Sequence, residues 1–149
     1  METKKDQDFY ALMEEILPQF QRKIFARLPN VFAQGTISVP HIFILETLDK
    51  QDCCTMGKLA DSLSISTSAV TGHIDRMIRS GLVERARDSE DRRVVKVTLT
   101  KKGSNLVKKI REQRRNMLGE IFSQISREER QKYLEIIQKI YRRTLEKEK

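Results

Sequence analysis

Between Ser66 and Arg79 the polar residues gather on one side of a helical repeat. At about 100° per residue, Ser68, Gly72, Asp75, Arg76 and Arg79 lie opposite an apolar stripe of Val70, Ile74, Met77 and Ile78. Ser66, Thr67, Ser68 and Thr71 are short donors and acceptors near the N-terminal end, and Arg76 and Arg79 follow one and two turns on. Hydroxyls at the start of a helix suit base edges and phosphates, and guanidinium groups further along suit the flanking phosphates. Such a face is built to hold a polyanion. Gly72 costs the helix roughly 1 kcal/mol against alanine. Two readings stand: a close approach of a duplex groove to the backbone, or a packing contact or tolerated flaw. His73 likewise reads as a lateral DNA contact or as packing.

A second cluster follows. Leu82–Arg85 and Val94–Leu99 have strand character, the latter alternating with period 2, and the polar run 86–93 between them carries Arg87, Arg92 and Arg93. Guanidinium groups on a hairpin tip fit the minor groove, where the potential is most negative when it is narrow. Asp91 is placed to hold Arg93 in one orientation through a charge-assisted bond. Standing alone, the same hairpin would read as a solvated loop of mixed charge.

The elements that must position these groups are legible. Thr55 is an N-cap for a helix bearing Met56, Leu59, Ala60 and Leu63, and Ser64-Ile65-Ser66 is a turn. Ser66 caps the polar-faced helix, and Gly81 sits just past its end. That is a helix-turn-helix with a wing. Before it, Ser38 starts a helix with Pro40 in its permissive first turn, and Ile42, Ile44, Leu45 and Leu48 should pack beneath the motif. Asp49–Cys54 reads as a loop.

This stretch resembles the winged helix-turn-helix of the MarR family of bacterial transcriptional regulators. The matching residues are Leu59-Ala60 and Leu63, then Ser66 to Thr71, then Gly81-Leu82-Val83. Most specific are Asp91-Arg92-Arg93, Val97 to Thr100, and Gly103. The resemblance is specific from about 37 to 103. It implies a mainly α fold with a small β-ribbon and long N- and C-terminal dimerisation helices. On it, the chain is a single domain, with residues 37–100 reading double-stranded DNA and residues 1–30 and 101–149 pairing two copies. The implied activity is binding of a pseudo-palindromic operator by a homodimer, as a repressor, with the recognition helix 66–80 in the major groove and the wing 86–94 in the minor groove. A small-molecule effector is implied between dimer helices and reading head, and Met13, Phe20 and Phe43 are candidates to line its pocket, although each also reads as core. Two positions depart from the family pattern: Gly72, where arginine is common, and His41, where glutamine is.

The flanking sequence is helical. Phe9, Leu12, Met13, Ile16, Leu17, Phe20, Ile24 and Leu28 form one stripe, with Asp6 or Asp8 as its cap and Pro18 predicting a kink or break near residue 17. Thr100 caps a second long helix, and Ser126-Arg127-Glu128-Glu129 is a capping box for a third. The surplus apolar surface of these helices calls for a second copy.

Charge agrees with a polyanion partner. The 149 residues carry 29 basic and 21 acidic side chains, a formal +8. The first 57 residues are slightly acidic (6 basic, 8 acidic), whereas 58–102 hold 10 basic against 6 acidic and 103–149 hold 13 against 7. No apolar run spans a bilayer and Met1 opens a charged segment, so a cytoplasmic protein without membrane contact is expected. No cofactor, zinc-type Cys/His spacing, catalytic carboxylate pair or nucleophile elbow is present in the sequence, which argues against an enzyme. Two rival readings remain. One is a redox sensor using Cys53 and Cys54 on the same scaffold, the other a basic helical interaction protein without specific DNA binding.

Overall fold

The computed structural model describes residues 4–27, 37–87, 91 and 94–147, in two compact units, 1–114 and 115–149. The element order is α1 (Lys4–Arg27), α2 (Val39–Gln51), β1 (Cys53–Thr55), α3 (Met56–Leu63), α4 (Thr67–Arg79), β2 (Val83–Arg87), β3 (Val95–Leu99), α5 (Lys101–Phe122) and α6 (Arg127–Lys147). The chain is mainly helical with one small sheet, as the sequence predicts.

Short polar side chains set the helix starts. Lys58 N–H donates to Thr55 Oγ1 (3.3 Å) at α3, and Ala69 N–H donates to Ser66 Oγ (3.2 Å) at α4. At α6 the capping box closes both ways: Ser126 N–H donates to Glu129 Oε2 (2.8 Å), and Glu129 N–H to Ser126 Oγ (3.2 Å). Hydrogen bonding from the Ser126 backbone N–H, and after it from the Ser126 side chain, holds the Glu129 carboxyl below its usual range. Between α3 and α4, Ser64 takes a left-handed conformation (φ 53°), which lets the two helices turn within three residues.

The core of the first unit is aliphatic. Ile44, Leu45 and Leu48 of α2 meet Leu59 of α3, Val70, Ile74 and Met77 of α4, Val83 and Val97 of the sheet, and Val107 and Ile110 of α5. Each fully buried side chain of this kind stabilises the fold by about 1.5–3 kcal/mol. The sheet is antiparallel throughout with β3 central, flanked by β1 (Cys54 opposite Val97) and β2 (Arg85 opposite Val97).

Thr100 ties the ends of three elements together. Its N–H donates to Leu82 O (3.1 Å), its hydroxyl donates to Gly81 O (2.6 Å), and the same oxygen accepts from Gly103 N–H (3.1 Å) as the cap of α5. Lys102 Nζ reaches Ser80 O (2.8 Å) at the C-terminal end of α4. Gly81 makes the corner possible with φ +69°.

Three expectations need correction. Residues 49–54 are not a loop: α2 continues to Gln51, Asp52 turns the chain with φ 59°, and Cys53–Thr55 is a strand. Three residues are too few to show a period, and this strand exists through its pairing with β3. The helix does not break at Pro18, since α1 runs unbroken from Lys4 to Arg27. Proline removes one donor, and the good helix formers on both sides supply the remaining rungs. Asp6 and Asp8 lie inside α1 rather than capping it.

Gly103 has no room for a methyl group. A Cβ there would lie 2.0 Å from Leu82 O and 3.0 Å from Leu82 C, both backbone atoms. Gly103→Ala is expected to cost about 3 kcal/mol, because the junction must shift. Gly119, with open space around it, should gain about 1 kcal/mol as alanine. Urea unfolding midpoints of the two variants check both signs.

Candidate nucleic-acid interface

The exposed face of α4 begins with hydroxyls. Ser66, Thr67 and Ser68 are exposed, and the Ser66 and Ser68 hydroxyls sit 3.0 Å apart. Thr71 Oγ1 donates back to Thr67 O (2.9 Å), which fixes its rotamer. Nothing lies within 4 Å of a Cβ placed at Gly72. Packing is therefore not what holds glycine there. Arg76 and Arg79 are exposed further along the same helix, and Arg87 is exposed at the end of β2.

A salt bridge joins this helix to the wing. Arg85 Nη2 of β2 meets Asp75 Oδ1 of α4 at 2.7 Å, with both side chains about two-fifths exposed. It crosses from α4 to β2, the first strand of the wing. Sequence reading placed Asp75 on the polar face without finding its partner. A strand arginine ten residues on, opposite in charge, was the available signal.

The wing tip itself is only partly described. Arg92 and Arg93 lie outside the described residues. Asp91 is exposed, and its carbonyl accepts from Val94 N–H (2.9 Å) in the turn that leads into β3.

His73 does not simply face solvent. Its Nδ1 is 3.1 Å from Nε2 of His41 on α2, and the rings meet edge to face (centroids 5.0 Å apart, 86° between planes). His41 is buried, and its Nδ1 accepts from Ser38 N–H (3.1 Å). Burial first, then the neighbouring His73 and Arg76, push the His41 pKa below its ordinary value. The acids of α2 are matched elsewhere: Arg111 of α5 holds Asp49, and Arg114 of α5 holds Glu46, each at 2.6 Å.

The other candidates occupy separate places. Phe20 of α1 and Phe43 of α2 expose 40% and 54% of their surface, and Met13 is half-buried. Cys53 is half-buried and Cys54 fully buried, both as free thiols, with Cys54 Sγ donating to Gln51 Oε1 (3.0 Å). Burial and the adjacent Cys53 push the Cys54 thiol up, so the nucleophilic thiolate is disfavoured there. Among the described residues, no group of three or more His, Cys, Asp or Glu is placed to hold a metal, and no helix is long and apolar enough to cross a membrane.

A capped helix with an outward polar face, set over a second helix by a tight turn and flanked by an antiparallel wing, defines a winged helix-turn-helix. A model of the MarR family matches residues 37–95. The uncharacterised HTH-type transcriptional regulator YwhA of Bacillus subtilis is 30% identical over 98 residues, 66% of this chain and 70% of that protein. A MarR family protein from Bacillus stearothermophilus has a structure that superposes with a TM-score of 0.80 at 25% identity, over 93% of this chain and 97% of that one. The C80S mutant of MarR from E. coli, solved in complex with operator DNA, superposes with a TM-score of 0.67 at 21% identity, over 86% and 92%. The chain belongs to the MarR family and is an HTH-type transcriptional regulator.

Gly72→Ala should raise stability by about 1 kcal/mol, since the new methyl meets nothing and the helix gains an alanine. Asp75→Asn should cost less than about 1 kcal/mol, because the pair it breaks is solvent-screened. Chemical denaturation at two salt concentrations checks both, the second effect shrinking as salt rises.

Proposed function

We propose that this regulator binds a pseudo-palindromic operator in the cytoplasm as a homodimer, with the recognition helix 66–80 in the major groove and the wing 86–94 in the adjoining minor groove. The observation that carries this reading is the exposed hydroxyl-and-arginine face of α4 locked to β2 through Asp75 and Arg85. On a duplex, Thr67, Ser68 and Thr71 read base edges, while Ser66 and His73 meet the backbone from the side. Arg76, Arg79, Arg87, Arg92 and Arg93 neutralise phosphates or line the narrow groove, and Asp91 orients the tip. The open space beside Gly72 admits the backbone close to the groove floor. The operator DNA bound by the MarR C80S neighbour supports DNA as the partner.

Dimerisation is supported by the apolar side chains that α1 and α6 leave uncovered in one copy, among them Phe9, Leu12 and Ile16 of α1 and Ile137, Ile140 and Tyr141 of α6. A two-fold axis then sets the two recognition helices about 34 Å apart, one turn of DNA. Bound over a promoter, such a dimer excludes polymerase, so the regulator acts as a repressor. A small molecule touching Met13, Phe20 or Phe43 modulates it through unequal affinity for the binding and non-binding arrangements.

Selection of duplexes from a random-sequence pool tests the reading. Enrichment of an inverted repeat, with affinity falling steeply as salt rises, is expected. A sequence-indifferent pool would overturn it in favour of a basic interaction protein. Ser68→Ala should change which bases are preferred. Arg93→Ala should weaken every duplex alike and lower the salt slope by about one. Light scattering at the same concentrations reads the dimer.

A further inference from the structure

We propose that His41 and His73 form a proton-sensitive latch that seats the recognition helix against α2, so that acidification through the imidazole range loosens the reading head and weakens its hold on DNA. Only the last step rests on the DNA-binding reading above.

The hydrogen bonds have a fixed direction. Ser38 N–H can only donate, so His41 Nδ1 accepts and carries no proton. The His41 proton is therefore on Nε2, and it is donated across 3.1 Å to His73 Nδ1. His73 in turn keeps its proton on Nε2. One backbone donor at the start of α2 thus sets both tautomers, and the chain runs Ser38 to His41 to His73.

A further proton has no place in this chain. On His73 Nδ1 it would face the His41 Nε2–H at 3.1 Å, two donors head to head. On His41 Nδ1 it would face the Ser38 N–H. Moving the His41 proton from Nε2 to Nδ1 keeps the ring-to-ring bond but still loses the Ser38 bond. Every protonated arrangement gives up one bond of the chain: a proton on His73 Nδ1 facing the His41 Nε2–H breaks the link between α4 and α2, and the others break the Ser38 bond that fixes His41 at the start of α2.

The surrounding charges point the same way. From α4, Arg76 adds positive potential at His41, and His73 adds its own once charged. Asp75 of α4 is engaged by Arg85, and Glu46 and Asp49 of α2 by Arg114 and Arg111 of α5. The carboxylates on both elements are thus already matched by arginines. His41 accordingly titrates below its ordinary value of 6.5 in the folded protein. The unfolded chain takes up its proton first, so stability is complete above about pH 6.5 and declines as the pH falls toward the lowered folded value. The chain has 2 histidines and both are in the latch. Ordinary carboxylates titrate well below this window and lysines well above it.

The test has a DNA-free arm and a DNA arm. Nitrogen-correlated NMR of the two imidazoles should find both as Nε2–H tautomers at about pH 8, with His41 titrating below the free-imidazole range. An Nδ1–H tautomer at His41, or titration at or above the ordinary value, overturns the latch. In the second arm, the thermal midpoint and the affinity for a duplex selected at about pH 7.5 are followed at constant salt down to about pH 5.5. Both should fall in the parent, the affinity about threefold to tenfold. The double variant His41→Gln/His73→Asn has no imidazole, and its profile should be flat. Parent and variant profiles of equal slope overturn the latch. If the double variant does not fold, His73→Asn alone, at the half-buried end of the pair, is compared instead. Should no duplex be selected at all, the DNA reading fails, and the NMR and thermal profiles still decide the latch.

Discussion

The reading head depends on one threonine hydroxyl. Thr100 follows the last strand of the wing, and its oxygen both donates to Gly81 O and accepts from Gly103 N–H. A single side chain therefore terminates the corner after α4, anchors the root of the wing and starts α5. Its backbone N–H adds a bond to Leu82 O, and the Gly103 backbone comes so near that only hydrogen fits between. A hydroxyl can serve this way because it is at once a donor and an acceptor. Valine would keep the shape and lose both bonds. The angle between α4 and the wing is then a property of backbone contacts rather than of long side chains, which is what a surface meant to match a rigid duplex requires.

Over that rigid corner lies a softer layer of charge. The Asp75–Arg85 bridge is half-exposed, and its worth in stability is small. Its consequence is geometric: it takes one arginine out of the free basic surface and pins β2 to α4, while Arg76, Arg79 and Arg87 remain exposed. The bridges from α5 to Asp49 and Glu46 act differently, withdrawing acids of α2 from the field around α4. The basic excess of residues 103–149 in the sequence looks like diffuse attraction for a polyanion. Part of the charge of α5, at Arg111 and Arg114, is instead spent in ion pairs with α2.

Local chemistry was legible in the sequence wherever one residue type decides a conformation. Thr55, Ser66, Thr100 and Ser126 were read as caps and are caps, because a short hydroxyl beside a helix start has few better uses. Gly81 was read as a terminator and has a positive φ. The stripes Val70–Ile74–Met77 and Ile44–Leu45–Leu48 are in the core. What stayed hidden depends on partners distant in sequence. β1 is a strand only because β3 is beside it, and His41 and His73 are 32 residues apart along the chain. Neither a three-residue strand nor a lone histidine on an apolar face carries a period to read. The residues proposed for the reading surface lie on one helix and one hairpin, and the bridge between those two elements has no local signal in the sequence.

The histidine pair also raises a conflict of signs, which magnitudes settle. Phosphates beside α4 favour the protonated form of any nearby imidazole and would, alone, tighten binding in acid. That attraction acts through salt water, where it decays over about 8–10 Å and is shared among many cations of the helix. The opposing contact acts across 3.1 Å, with one of its rings buried, where an added proton either sets two N–H groups face to face or removes the Ser38 bond of His41, and solvent screens neither loss. The short-range term dominates while His73 stays in contact with His41. Acid therefore acts first on the seating of α4 and only afterwards on its charge.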